Sequence, residues 1–280
     1  MNQEPLISII VRTNNRPDIL INALNSIRSQ TYKNIEAVVI EDGKNMSEKM
    51  IRENFSDINL KYHATEKRVG RSAAGNLGMS MASGVYFNFL DDDDILFPEH
   101  IEKLYRCISQ NGTKAAYSVA EERQIIITGR EPYLYKVKRK LVRYRQPFSR
   151  LVLYYQNYIP IQTILFSREF YENMGGFDNN LDMFEDWDLW VRFSIYGDFA
   201  FCDDLTSAYF VLFKRNQKKQ RAESFYDTKK LLFKKFKSYE IEISVGELRE
   251  DLSNTLEEYF SGRLVRYLKM VWAFLLYGEK

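Results

Sequence analysis

Four short apolar runs, each followed by a helical repeat, constrain this chain more than any other feature. Ile7 to Val11 is apolar and largely β-branched, the pattern of a strand buried on both faces. Pro17 then stands at a first helical position, and Leu20, Ala23, Leu24 and Ile27 recur at helical spacing. Ala37 to Ile40 reads as a second strand, 46–55 as a helix, and Leu60 to His63 as a third strand. Ser72 to Met81 repeats the helical pattern, with Ala74, Leu77, Gly78 and Met81 on one face. Val85 to Leu90 is the fourth strand, and Pro98 opens a helix carrying Ile101, Leu104, Tyr105 and Ile108. This order predicts an α/β fold, with a mainly parallel sheet and helices on both faces.

In such sheets ligands bind beyond the carboxyl ends of the strands. Three polar clusters follow strands there: Thr13-Asn14-Asn15-Arg16, Glu41-Asp42-Gly43 and Asp91 to Asp94. Topology alone predicts that they converge. Four consecutive carboxylates repel one another unless a cation neutralises them. Hard divalent cations such as Mn²⁺ or Mg²⁺ prefer carboxylate oxygens and also bridge phosphate oxygens. The competing reading is a cap for the helix that Pro98 opens, but one or two aspartates would serve that purpose.

Beyond residue 110 the pattern loosens. Gln124 to Thr128 has the character of a strand, 136–150 is basic and aromatic, and Thr163 to Phe166 is apolar. Gly175-Gly176-Phe177-Asp178 reads as a turn, and a helix is predicted from Glu185 to about Tyr196. The last 65 residues read as helical additions to one domain.

Ser8 to Asp94 resembles the donor half of the family 2 glycosyltransferases, inverting enzymes of the GT-A fold that include those building bacterial glycans. The resemblance rests on Ser-Ile-Ile-Val-Arg-Thr-Asn-Asn-Arg-Pro (8–17), Ser-Ile-Arg-Ser-Gln-Thr-Tyr-Lys-Asn-Ile-Glu (26–36) and Val-Val-Ile-Glu-Asp-Gly (38–43). Gly70 to Gly78 and Gly-Val-Tyr-Phe-Asn-Phe-Leu-Asp-Asp-Asp-Asp (84–94) extend it. Gly-Gly-Phe-Asp (175–178) and Phe-Glu-Asp-Trp-Asp-Leu-Trp-Val-Arg (184–192) resemble the family's acceptor-side segment, so the match covers about 8–200. It implies a GT-A domain over 1–212, with a donor half to about 110 and an acceptor half from about 111. A basic, helical C-terminal extension would occupy 213–280.

The resemblance also implies roles. Asp91-Asp92-Asp93 would be the DxD motif, with Asp93 on the metal (Mn²⁺ or Mg²⁺) and Asp92 beside the donor ribose or the metal's water. Asp42 would accept a hydrogen bond from the base, which favours a UDP donor, and Thr13 and Asn15 would lie near the same base. Arg71 would approach the diphosphate or the sugar. Asp186 would be the general base that inversion requires on the face opposite the leaving group. Glu185 and Asp188 would orient it or bind acceptor hydroxyls, and Trp187 would stack on an acceptor sugar, with Trp190 more at home in the core. The implied activity is a single, non-processive transfer from a nucleotide sugar to a hydroxyl of a glycan or lipid-linked acceptor. A sugar-nucleotide nucleotidyltransferase is the alternative, but it would need a Gly-rich phosphate loop, and Arg12 to Arg16 contains no glycine. A non-catalytic binding protein of the same fold is the other.

Two departures stand out. The family often carries an arginine before the asparagine of the 70–78 segment, where this chain has Gly75 before Asn76. A donor-phosphate contact is therefore absent or supplied by Arg71. Many relatives place a histidine after the last core strand, whereas the two histidines here are His63 and His100. Phe213-Lys214-Arg215-Asn216 occupies that region, where Lys214 or Arg215 would meet the departing diphosphate.

Charge separates the extension from the rest. Net charge is only +2, yet 214–237 holds ten Lys/Arg against two acids, and 136–150 holds seven and none. Leu264, Val265, Leu268, Val271, Trp272, Leu275 and Leu276 form an apolar helical face flanked by Arg263, Arg266 and Lys269. That pattern fits interfacial binding to an anionic membrane through 214–280, or packing against its own domain or a second copy. No run of 18 apolar residues or signal peptide is read, and two distant cysteines imply no disulfide framework. The expectation is a cytoplasmic protein, which the membrane alternative would make peripheral at the inner membrane face. No nucleic-acid-binding module accompanies the basic runs, so nucleic acid is not expected as a partner.

Overall fold

The computed structural model describes residues 4–130, 133–181, 183–213, 228–241, 243–246, 248–249 and 253. β1 (Ile7–Thr13), β2 (Ile35–Glu41), β3 (Leu60–Ala64) and β4 (Tyr86–Asp91) alternate with α1 (Pro17–Arg28), α2 (Glu48–Asn54) and α3 (Arg71–Met81). All four strands are parallel, in the order β3-β2-β1-β4. Period-two alternation sends their side chains to opposite faces. Ile7, Ile9 and Val11 pack under α1, α2 and α4 (His100–Asn111), while Ile10, Val38 and Phe89 pack on the other face. Helices therefore cover both sides, as expected.

The register decides where the polar clusters fall. Arg12 lies opposite Ile40 on one side and Asp91 on the other, and Thr13 lies opposite Glu41. The strands end level, so the residues that follow them share one edge of the sheet.

The second half adds strands of both directions. After β4 come the two-residue β5 (Ile95–Leu96) and α4, which ends on left-handed Gly112. Then follow β6 (Ala115–Arg130), β7 (Tyr133–Val142), α5 (Arg150–Tyr155), β8 (Ile164–Ser167), α6 (Arg168–Met174), α7 (Glu185–Tyr196) and β9 (Ala200–Leu212). The full order is β3-β2-β1-β4-β8-β6-β9-β5, with β7 on β6. The strand expected at 124–128 is thus part of the second half of a 16-residue strand, and the basic stretch from 136 to 142 lies in its hairpin partner. β7 is mostly exposed, so it carries no apolar period that marks it as a strand.

Within the expected extension, 228–236 is helical and packs into the α/β core. Leu232 is fully buried there, and Phe233, Phe236 and Tyr239 pack against the same cluster as Trp187. The apolar face at 264–276 lies outside the described residues. Among the described residues, no helix is long and apolar enough to cross a membrane.

Candidate active site

An open cleft of about 960 Å³ lies at the carboxyl ends of β1, β2 and β4 and the start of α3. Its walls include Arg12, Thr13, Asp42, Arg71, Asp91 and Asp93.

The four aspartates do not share one environment. Asp91 meets Arg12, whose Nε and Nη2 lie 2.8 and 2.7 Å from its Oδ1. Asp92 is fully buried and accepts from Thr13 Oγ1 at 2.6 Å and Arg16 Nε at 3.0 Å. Burial, partly offset by Arg16, pushes the Asp92 carboxyl up to about 7. Asp93 is 41% exposed, lines the cleft and lies 3.3 Å from Arg16 Nη1. Asp92 therefore anchors the loop from below while Asp93 faces the space a ligand would fill. Asp94 is buried and accepts from the Phe210 N–H at 3.1 Å, fastening the acid loop to β9. It does not cap a helix: β5 intervenes, and Glu99 occupies the cap position of α4.

On the β2 side, the Asp42 carboxylate accepts from the Val69 and Gly70 N–H groups at 2.5 and 3.0 Å. That pairing holds the turn into α3 against the end of β2 and sets Arg71, 57% exposed, on the rim. Asn15 is exposed and in the left-handed region at φ 51°. Its side-chain amide crowds Gly43, where a Cβ would stand 2.7 Å from Asn15 Oδ1.

Glu185, at the head of α7, reaches two of the arginines that line the cleft. Glu185 is buried, with Oε1 3.1 Å from Arg12 Nη1 and 3.7 Å from Arg71 Nη1. Asp186 instead takes neutral partners: the Trp187 N–H at 2.8 Å and Asn157 Nδ2 at 2.9 Å. Burial first, then the Glu185 charge, pushes its carboxyl up to about 7 against the opposing pull of Arg12. Phe184, immediately before the pair, is left-handed at φ 60°, a strained backbone of the kind that gathers at functional sites.

Two expected acceptor contacts turn inward. Trp187 is 2% exposed, its indole N–H donates to the Leu153 carbonyl at 2.6 Å, and the Phe233 and Phe236 rings pack edge-on against it at 5.7 Å. Asp188 is fully buried between Arg192 Nε at 3.0 Å and Lys235 Nζ at 2.8 Å. Neither faces the cleft, because the 228–239 segment covers that side of α7. Trp190 lies in the core, as expected. His100 is buried as well, its Nδ1 2.6 Å from Thr206 Oγ1, and burial pushes it down to about 3.

Among the described residues, no three His, Cys, Asp or Glu side chains gather into a set that holds a cation unaided. Of the acid run, Asp91, Asp93 and Asp94 line the cleft, but Asp91 is taken by Arg12 and Asp94 by the Phe210 N–H, which leaves Asp93 as the carboxylate offered to a ligand. A single carboxylate of this kind suits a hard cation that takes its other ligands from phosphate and water. Lys214 and Arg215 lie outside the described residues.

Residues 8–173 match the family described as glycosyl transferase family 2. The chain belongs to this family. Among its relatives is a glycosyltransferase of Rickettsia typhi, 27% identical over 198 residues, or 69% of this chain and 61% of that one. Bacillus subtilis YwdF, also named a glycosyltransferase, is 29% identical over 187 residues, 66% of this chain and 67% of the other. The match thus spans under two thirds of the rickettsial relative's length. Among solved structures, residues 1–349 of Staphylococcus aureus TarS in complex with UDP-GlcNAc superpose with a TM-score of 0.65 at 17% identity. That likeness covers 91% of this chain and 72% of the other, and it establishes the GT-A architecture.

In this family 2 chain, the sequence pattern assigned no role to Arg12 and named Arg16 only as part of a converging polar cluster. One signal was available: β1 and β4 are adjacent in a parallel sheet, so four carboxylates ending β4 call for cations ending β1.

Proposed function

We propose that this chain is an inverting, non-processive glycosyltransferase. It would move one sugar from a nucleoside-diphosphate donor, with UDP favoured, to a hydroxyl of a glycan or lipid-linked acceptor. One observation carries the reading: a single guanidinium, Arg12, touches both Asp91 of the acid run and Glu185 of the α7 pair. Donor-side and acceptor-side acids therefore flank the same cleft, as displacement at one carbon requires.

In this reading Asp42, Thr13 and Asn15 surround the nucleoside, and Arg71 reaches the diphosphate or sugar from the rim. Asp93 would hold Mn²⁺ or Mg²⁺, which would supply neutralising charge for the diphosphate. Asp186 takes the proton of the acceptor hydroxyl, whose oxygen bonds to the anomeric carbon as the bond to the diphosphate breaks. Glu185, paired with Arg12 and Arg71, serves as their counter-charge. The UDP-GlcNAc complex of the TarS neighbour supports a UDP-sugar donor.

The test is a panel of nucleotide sugars read by thermal shift with Mn²⁺, followed by donor hydrolysis. Asp93→Ala and Asp186→Asn are each expected to lower turnover by about 100-fold or more. Asp186→Asn at wild-type turnover would exclude that base, and a panel without any stabilising nucleotide sugar would exclude the activity.

A further inference from the structure

Arg12 is buried at the floor of the cleft, and general-base transfer assigns it no task. Its guanidinium carbon lies 5.9 Å from the Phe89 ring centre and 5.5 Å from that of Phe177. Nε and Nη2 hold Asp91, while Nη1 holds Glu185, 173 positions away in sequence. Gly75 makes room for this. A Cβ there would stand 2.5 Å from the Phe177 ring and 3.6 Å from Arg12 Cδ. α3 carries no side chain at this point, and the Arg12 side chain from β1 packs beside it.

We propose that Arg12 is a positioning residue that locks Glu185 toward the donor side and leaves Asp186 as the base. This rests on the transferase reading above. Two adjacent carboxylates at a helix start compete for the same proton and the same space. Arg12 and Arg71 hold Glu185 by charge, whereas the Trp187 N–H and Asn157 amide hold Asp186 by neutral hydrogen bonds. Asp186 therefore keeps its basicity, while Glu185 is turned toward the two arginines. The charges that act on Asp186 are Glu185 on its own helix and Arg12 on β1. Lysine is no substitute, because a point charge on a flexible stem does not span two carboxylates as a planar fork does.

Wild type, Arg12→Met, Arg12→Lys, the double variant Arg12→Met/Glu185→Gln, and Asp186→Asn are compared as full-length proteins. Binding is measured with UDP and Mn²⁺. Turnover is measured as UDP release, against pH, from the UDP-sugar that most stabilises wild type. Arg12→Met is expected to bind UDP within about threefold of wild type and to lose about 100-fold in kcat. Its acidic limb should move about one unit alkaline, because Arg12 no longer opposes the effect of Glu185 on Asp186. The double variant removes both charges and should return the limb toward its wild-type position. Where Arg12→Met does not fold, Arg12→Lys carries the test, with about tenfold lower kcat and UDP binding retained. Unchanged kcat and limb overturn the proposal, as does UDP binding lost in step with kcat, which would make Arg12 a donor ligand. Failure of the transferase reading looks different: Asp186→Asn then keeps full turnover whatever the Arg12 variants do.

Discussion

Asp186 and Glu185 are neighbours in the chain, yet cations surround one and neutral donors the other. With its carboxyl raised from the ordinary 3.8 to about 7, Asp186 is protonated, and useless as a base, over the range where most aspartates are ionised. Turnover is therefore expected to rise about tenfold per pH unit below 7 and to level off above it. A profile of kcat against pH checks this, and a flat profile from 5 to 8 would show that the Asp186 carboxyl is not raised in the working enzyme. At Gly75 the issue is space. Gly75→Ala puts a methyl 2.5 Å from the ring of Phe177, whose centre lies 5.5 Å from the Arg12 guanidinium carbon. Overpacking of this kind should cost about 1–3 kcal/mol, measured by urea unfolding. The acids were legible because their pattern is local. The partner of each was not, because it arrives from another strand or helix.

At the scale of elements, β1 to β4 and their helices were legible to within a few residues, since burial on one face prints a period into the sequence. The fate of α7 was not. Its helical start was read correctly, but Trp187 and Asp188 were expected to face an acceptor, and the segment at 228–239 covers them instead. Sequence periodicity tells which face of a helix is apolar and not what lies on it. Leu232 is the deepest residue of that cover. Leu232→Ala should destabilise the chain by about 2–5 kcal/mol in urea. It should also shift tryptophan emission to the red as the cover over Trp187 loosens; no change in either would mean that the segment is dispensable to the core. The β6–β7 hairpin was half legible for a related reason: paired but solvent-facing strands have little apolar pattern to show.

For the whole molecule, the acid run and the cleft make cation and nucleotide interdependent. A carboxylate on a cleft wall gives a weak site alone, and a diphosphate would complete it. UDP and Mn²⁺ together should therefore raise the melting temperature, while either alone does little. At about 100 times the dissociation constant, a ligand adds about 2.7 kcal/mol, worth roughly 5–10 °C for a domain of this size. Equal shifts from UDP with and without Mn²⁺ would show that the nucleotide site needs no cation. The amino-acid sequence alone determined the α/β order and the edge of the sheet where the chemistry gathers. Short-range periodicity encodes burial, and right-handed crossovers bring the ends of parallel strands together. It also marked the aspartate run and the Glu185-Asp186 pair. The tertiary structure alone decided that Asp93 faces the cleft while Asp92 lies beneath it, that Arg12 joins Asp91 to Glu185, and that a late segment seals Trp187. These outcomes depend on side chains that meet across strands and helices remote in sequence, where a difference in reach or burial selects the partner.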